Sequence, residues 1–216
     1  IGTPAILELD DIKENDLVVY EMSSFQCWDL KLSPHISVIL RIEPDHLDRH
    51  LDFNDYISAK ANIVLHQTSN DYCIYYMNNP ISKKIGQKSL GEKSAYPICS
   101  YQTELKQLLD HLTVPGEHNR ENAEAAILAV LDILQFKLSD LFSQNNQDLY
   151  QKIERGLTTF VGLPHRIQFV RELNQVRYYD DNYSSAFPAT DVAIKSFDDY
   201  PTVLIAGGKD RHLDLT

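Results

Sequence analysis

Asp16-Leu-Val-Val-Tyr-Glu-Met-Ser-Ser-Phe-Gln26 and Ile36-Ser-Val-Ile-Leu-Arg-Ile42 each open on a near-continuous apolar run. Runs of this kind, unlike alternating ones, suit strands buried on both faces of a parallel sheet. The first run ends in a carboxylate, Glu21. The second leads into Asp45-His46-Leu-Asp48-Arg-His50, which crowds ionisable groups into six residues. In open α/β sheets, ligands bind beyond the carboxyl ends of the strands. Both strand ends are therefore places to look for chemistry.

Outward from these runs, strand-like and helix-like stretches alternate. Residues 53–66 have helical spacing, with Phe53, Tyr56, Ile57, Ile63 and Val64 available to a core. Residues 71–77 and 94–99 read as further strands. Residues 119–136 form the clearest helix, with Ile127, Leu128, Leu131 and Leu134 on one stripe, and a second helical patch covers about 146–156. Gly156 to Pro164 holds two glycines and a proline and reads as a domain junction. Beyond it, residues 166–173 and 176–181 read as strands around a turn at Asn174-Gln175. A helix follows at 188–197, then a strand at 202–206 ending in Gly207-Gly208.

The chain has 216 residues, 43% of them hydrophobic, enough for a real core in one large domain or two smaller ones. A net charge of −11 argues against general nucleic-acid binding, which needs clustered Lys and Arg. Cys27, Cys73 and Cys99 form no CxxC or Cys/His cluster, so zinc is not expected. Reduced thiols and a cytoplasmic location are expected instead. No apolar run reaches about 18 residues and no signal peptide is seen, so no membrane partner is expected. The chain begins without Met and stops just after a strand-loop pattern, and it reads as an interior piece of something longer.

Taken singly, each candidate residue has a plain alternative. Glu21 is a ligand-facing acid or a solvated one. The Asp45–His50 segment could hold a divalent metal, or be a polar loop with helix-capping acids. Lys60 lies mid-helix, where a lysine is usually a surface residue. Asn119 and Asn122 are one turn apart and could face one ligand, or Asn119 simply caps the helix.

Order and spacing together carry more. Glu21-Met-Ser-Ser-Phe-Gln26, Pro44-Asp-His-Leu-Asp-Arg-His50, Ala59-Lys60, Met77-Asn78, Gly116-Glu-His-Asn-Arg-Glu-Asn122 and Gly162-Leu-Pro-His-Arg166 follow in sequence. This succession resembles the Mur ligase family along essentially the whole chain. The Ser-Ser-Phe-Gln and Leu-Pro-His-Arg segments are most similar to the D-glutamate-adding branch. The resemblance implies an α/β fold: part of a P-loop-type ATPase central domain over residues 1–162, then the start of a Rossmann-like C-terminal domain over 163–216. It also implies a monomeric, ATP-dependent amide ligase with Mg²⁺. Its small-molecule substrates would be ATP, UDP-N-acetylmuramoyl-L-alanine and D-glutamate, joined through an acyl phosphate in peptidoglycan synthesis.

By the same resemblance Glu21 and His46 are metal ligands, and Lys60 is the lysine that carbon dioxide converts to a carbamate, an anionic oxygen ligand. Lys60, His46 and Arg166 would serve catalysis. Asn119 and Asn122 would lie near the adenine, Asp181 at the ribose, and Arg166 at the phosphates, where a planar fork suits the task. Ser185 and Arg211 would face the substrate.

The chain also departs from the family pattern. The usual Asn-Asp-Ser-Lys-Ala-Thr-Asn is here Asp180-Asp-Asn-Tyr-Ser-Ser-Ala186, so Tyr183 replaces a lysine and Ser185 a threonine. Asn78-Asn79-Pro80 lacks an acid common in that loop. No Gly-rich Lys-Thr phosphate loop occurs in the 216 residues, and Gly207-Gly208-Lys209-Asp210 does not supply one. The loop and a UDP-binding domain are expected upstream, and more of the C-terminal domain downstream. Two other readings stand beside the main one: a folylpolyglutamate-synthase-like ligase, and a non-catalytic module on the same scaffold.

Overall fold

A computed structural model of the chain describes residues 5–44, 49–98, 103–184 and 187–207. Strands β1 (Ile36–Ile39), β2 (Tyr72–Tyr76) and β3 (Glu92–Tyr96) form a parallel sheet in that order. Ile36 pairs with Tyr72, and Tyr72 with Glu92. Helix α1 (Ser24–Cys27) precedes the sheet, and α2 (Phe53–Leu65) and α3 (Pro80–Gly86) make its crossovers. Helices α4 (Thr103–Leu109), α5 (Glu117–Leu134), α6 (Leu138–Leu141) and α7 (Gln147–Thr159) follow. A hairpin of β4 (Gln168–Leu173) and β5 (Val176–Asp180) and then α8 (Phe187–Lys195) complete the described elements.

Successive side chains on a strand point to opposite faces, and both faces of β2 are covered. Cys73 joins Ile39, Ile42, Val64 and Ile85 in the core under α2 and α3. Ile74 joins Tyr76, Tyr96, Ala125 and Leu128 under α5. Both Cys73 and Ile74 are 0% exposed, which is why this strand has no polar face. Burial pushes the Cys73 thiol up to about 12, so it behaves as a small apolar group. The far side of α5 packs Ile127 and Leu131 against leucines of α4, α6 and α7.

At the sheet's amino-terminal edge, Gln67 is 2% exposed. Its amide donates to Pro34 O, Ser37 Oγ and Tyr72 O at 3.1, 3.1 and 2.8 Å, and its carbonyl accepts from Ser89 Oγ at 2.7 Å. One side chain thus ties the approaches to all three strands. The last residue of α3 is Gly86, where a Cβ would lie 2.4 Å from the Tyr75 ring.

The structure corrects the sequence reading in several places. Residues 16–21 and 202–206 are not strands, and Val19 and Ile205 are 95% and 93% exposed. Strand propensity needs a ladder partner, and neither run has one among the described residues. The helix expected over about 146–156 is α7, and it runs on to Thr159. Helix α5 starts at Glu117 with Gly116 as its cap, so Asn119 is not the cap residue. Helices α3 and α4 were not anticipated, although Asn79-Pro80 is a cap followed by a first-turn proline. The hairpin turn at Asn174-Gln175 forms as expected, with both residues at positive φ, 51° and 64°.

Asp132 sits in the last turn of α5, where the helix dipole disfavours an anion. Burial, with Glu92 nearby, pushes its carboxyl up to about 6, and its Oδ2 has no hydrogen-bond partner. The folded-state value is raised, so the stability is fully present below about pH 4 and is lost as pH rises through about 6. After solvent screening at this half-buried group the ionised form costs about 1–2 kcal/mol. Asp132→Asn is therefore expected to raise the unfolding free energy by about that amount at pH 7.5 and to change it little at pH 4. Urea melts at the two pH values check this.

Candidate active site

The Glu21–Gln26 segment folds as a capping box. Ser23 is the N-cap of α1, its hydroxyl accepting the Gln26 N–H at 3.4 Å, while the Gln26 side chain accepts the Ser23 N–H at 2.8 Å. This box sets the backbone directly after Glu21, itself exposed. Ser24, 2% exposed, points inward and its Oγ lies 2.9 Å from His50 Nε2. His50 Nδ1 lies 3.0 Å from Asp55 Oδ2. Asp55 also accepts the Leu51 N–H at 3.2 Å, and its own N–H is capped by Asp52 at 2.8 Å, at the start of α2. One turn further along α2, the Lys60 ammonium lies 5.1 Å from the Tyr56 ring centroid, a cation–π contact. It is near enough to Cys27 to oppose the upward push of burial on that thiol. Glu21 thus immediately precedes the capped turn of α1, and α1 packs on α2, which carries Lys60.

A second group of side chains lies at the carboxyl ends of β1 and β2. Arg41 donates to Tyr76 Oη at 3.0 Å, and Tyr76 donates to Glu121 Oε1 at 2.7 Å. The chain of bonds links the end of β1, through β2, to the first turns of α5. There His118 Nδ1 is buried without a hydrogen-bond partner. Burial holds its imidazole below the usual histidine range, with Asp181 opposing and Arg41 reinforcing that shift. Asn119 donates to Pro115 O at 2.6 Å, while Asn122, one turn on, is exposed. Gly116, at φ +103°, abuts Ser196: a Cβ there would lie 2.5 Å from Ser196 Oγ. The segment after α8 therefore closes against the amino-terminal end of α5.

The loop after β5 completes this end. Asp181 accepts the Ile167 N–H at 3.1 Å and the Ser184 hydroxyl. Arg166 lies with its guanidinium 5.9 Å from the Tyr183 centroid, and His165 meets the same ring edge-on at 5.4 Å. His165 Nδ1 also bonds Asp180 at 2.7 Å, which holds that carboxyl below the usual carboxylate range.

A family model described as the Mur ligase middle domain matches residues 1–130. The chain belongs to the Mur ligase family. Proteins named UDP-N-acetylmuramoylalanine--D-glutamate ligase from Ruminiclostridium cellulolyticum, Acetivibrio thermocellus and Clostridium perfringens are 34%, 33% and 32% identical to it. Each match covers 98–99% of this chain but 46% of the relative, so the chain spans about half the length of these relatives. MurF from Acinetobacter baumannii superimposes with a TM-score of 0.55 at 19% identity, covering 76% of this chain and 37% of that one. At that identity the likeness shows the fold alone.

Within this Mur ligase chain, His46, Ser185 and Arg211 lie outside the described residues. Among the described residues no group of three His, Cys, Asp or Glu side chains gathers as a metal cage, and no helix is long and apolar enough to cross a membrane. The sequence reading missed Ser24, Asp55, Arg41, Tyr76 and Glu121. The Ser23-x-x-Gln26 capping pattern was a usable signal for the turn that carries Ser24, and Asp55 lies only five residues from His50; Arg41, Tyr76 and Glu121 join residues too far apart in the chain to be paired by spacing. Tyr76→Phe removes the middle of the Arg41–Tyr76–Glu121 chain. It is expected to lower the unfolding free energy by about 1–2 kcal/mol, as for a hydrogen bond to charged partners. Chemical denaturation of the variant against the unaltered protein checks this.

Proposed function

We propose that the full-length protein is an ATP-dependent amide ligase that adds D-glutamate to UDP-N-acetylmuramoyl-L-alanine in peptidoglycan precursor synthesis. The observation that carries this is the identity of 32–34%, spread along 98–99% of the chain, to relatives bearing that ligase name. We place the boundary between the central and C-terminal domains near residue 162, and the protein in the cytoplasm as a monomer.

In this reading the γ-phosphoryl group of ATP passes to the substrate's terminal alanine carboxylate. The D-glutamate amine attacks the resulting acyl phosphate, and phosphate leaves as the amide forms. Phosphoryl transfer of this kind depends on positioning and on neutralising charge, and Mg²⁺ supplies part of that neutralisation when bound. The donor set suits a hard cation that prefers oxygen: Glu21 offers a carboxylate, Lys60 as its carbamate another anionic oxygen pair, and His46 an imidazole. Asn119 and Asn122 face the adenine, and the buried, unpartnered His118 Nδ1 beside them supports a polar ligand at this end of α5. Asp181 holds the ribose; two protein donors leave a carboxylate with further acceptor capacity. Arg166 reaches the phosphates, and Ser185 and Arg211 face the substrate.

The test is ADP release by the full-length protein with UDP-N-acetylmuramoyl-L-alanine and Mg²⁺, with and without D-glutamate. Release that needs both acceptor substrates is expected. Failure under conditions where an established ligase of this type turns over would sink the substrate assignment and leave the folate-type or non-catalytic reading. The 216 residues alone are expected to form no amide, because they contain no phosphate-cradling Gly-rich Lys-Thr loop.

A further inference from the structure

Arg41 lies just beyond β1, exposed, at the sheet edge where α/β folds bind their ligands. Its guanidinium donates to Tyr76 Oη at 3.0 Å and lies 5.3 Å from the centroid of the same ring. The base beneath it is well fixed. Tyr76 and Tyr96 are 2% and 1% exposed, their rings are 5.4 Å apart, and the Tyr96 hydroxyl donates to Ile39 O at 3.3 Å. Burial holds the Tyr76 phenol above the usual tyrosine range. It therefore keeps its O–H, which donates to Glu121 Oε1 at 2.7 Å, while its oxygen accepts from Arg41.

A brace between β2 and α5 needs only the Tyr76–Glu121 bond, and β1 is already laddered to β2. What Arg41 adds is a charge, seated on a buried phenol and exposed at the strand ends. Its surroundings decide the ligand. Glu121 lies between Asn119 and Asn122 on α5, the residues proposed to face the adenine. Arg41 is near enough to His118 to reinforce the downward push on that imidazole, and Asp181, proposed at the ribose, is near enough to oppose it. The guanidinium therefore stands among the groups proposed for the nucleotide. The phosphates are the anionic part of a nucleotide, and a guanidinium fork matches their oxygens. With a net charge of −11 on the chain, an anion approaching this edge depends on locally placed cations.

We infer that Arg41 is a further nucleotide-binding residue, meeting the phosphates from the end of β1, and that the buried Tyr76, held by Glu121, positions it. The inference rests on the nucleotide assignment of the proposed function. It gives the phosphates a cation from the central sheet in addition to Arg166.

The test is calorimetric titration of the full-length protein with ADP, and separately with UDP-N-acetylmuramoyl-L-alanine. Arg41→Gln is expected to weaken ADP binding about 10–100-fold, as for loss of a hydrogen bond between charged groups. The affinity for the UDP-sugar is expected to stay unchanged. Tyr76→Phe leaves the charge but releases the guanidinium. It is expected to weaken ADP binding by a smaller factor, and to add nothing in the Arg41→Gln background. A folded Arg41→Gln protein that binds ADP as the unaltered protein does would overturn the inference. So would equal losses for ADP and the UDP-sugar, which mark a general effect on the fold or its field. A Tyr76→Phe loss that persists in the Arg41→Gln background would overturn the positioning role, because Tyr76 would then act through α5 alone. If the unaltered protein binds no ADP, the nucleotide assignment itself fails, and that control separates the two failures.

Discussion

A parallel sheet cannot leave one face in water, because its crossovers place helices over the sheet. Most of this structure follows from that constraint acting on β2. Cys73 and Ile74 point to opposite faces and both are fully enclosed. One face needs α2 and α3, the other needs α5, and α5 in turn needs α4, α6 and α7 to cover its far side. Gln67 sets the register at the amino-terminal edge by satisfying backbone groups that burial would otherwise leave without partners.

Closing one edge with a polar hub leaves the other for function. At the carboxyl ends of the strands the chain must leave the sheet, turn and enter a helix, and there it carries its charged and aromatic groups. Two bonded chains occupy that edge. Ser24–His50–Asp55 binds α1 to α2, and Arg41–Tyr76–Glu121 binds β1 and β2 to α5. Both connect elements far apart in sequence, so each makes the edge more rigid than its loops alone would be.

This division also explains what could be read from the sequence. β1, β2 and the long helix α5 were legible because burial on two faces, or along one stripe, leaves a periodic apolar record. The runs at 16–21 and 202–206 carry the same record and are not strands, since propensity describes a residue's fitness for a ladder and says nothing of whether a partner is at hand. The helix at 80–86 is short, and its cap and proline were the only local signs of it. At the site, sequence order pointed to Glu21 and Lys60, and the structure sets Lys60 within α2 and Glu21 just before the capped turn of α1. The Ser24–His50–Asp55 chain of bonds was illegible, because Ser24 and His50 are 26 residues apart and their link exists only after α1 docks on α2.

Tyr183 shows how the fold absorbs a departure from its family's pattern. A lysine at this position would set a second cation beside Arg166 and repel it. The phenol ring instead offers the guanidinium a face, and His165 meets the same ring in an edge-on contact. An exposed contact of this type contributes about 0.5–1 kcal/mol, enough to bias where the arginine rests. His165 is itself held by Asp180, so the ring, the imidazole and the carboxylate form one short framework at the end of β5. Compared with a lysine, the ring removes a charge from this loop and adds a support for the charge that remains. Arg166 thereby becomes the cation of this loop whose placement the local structure controls.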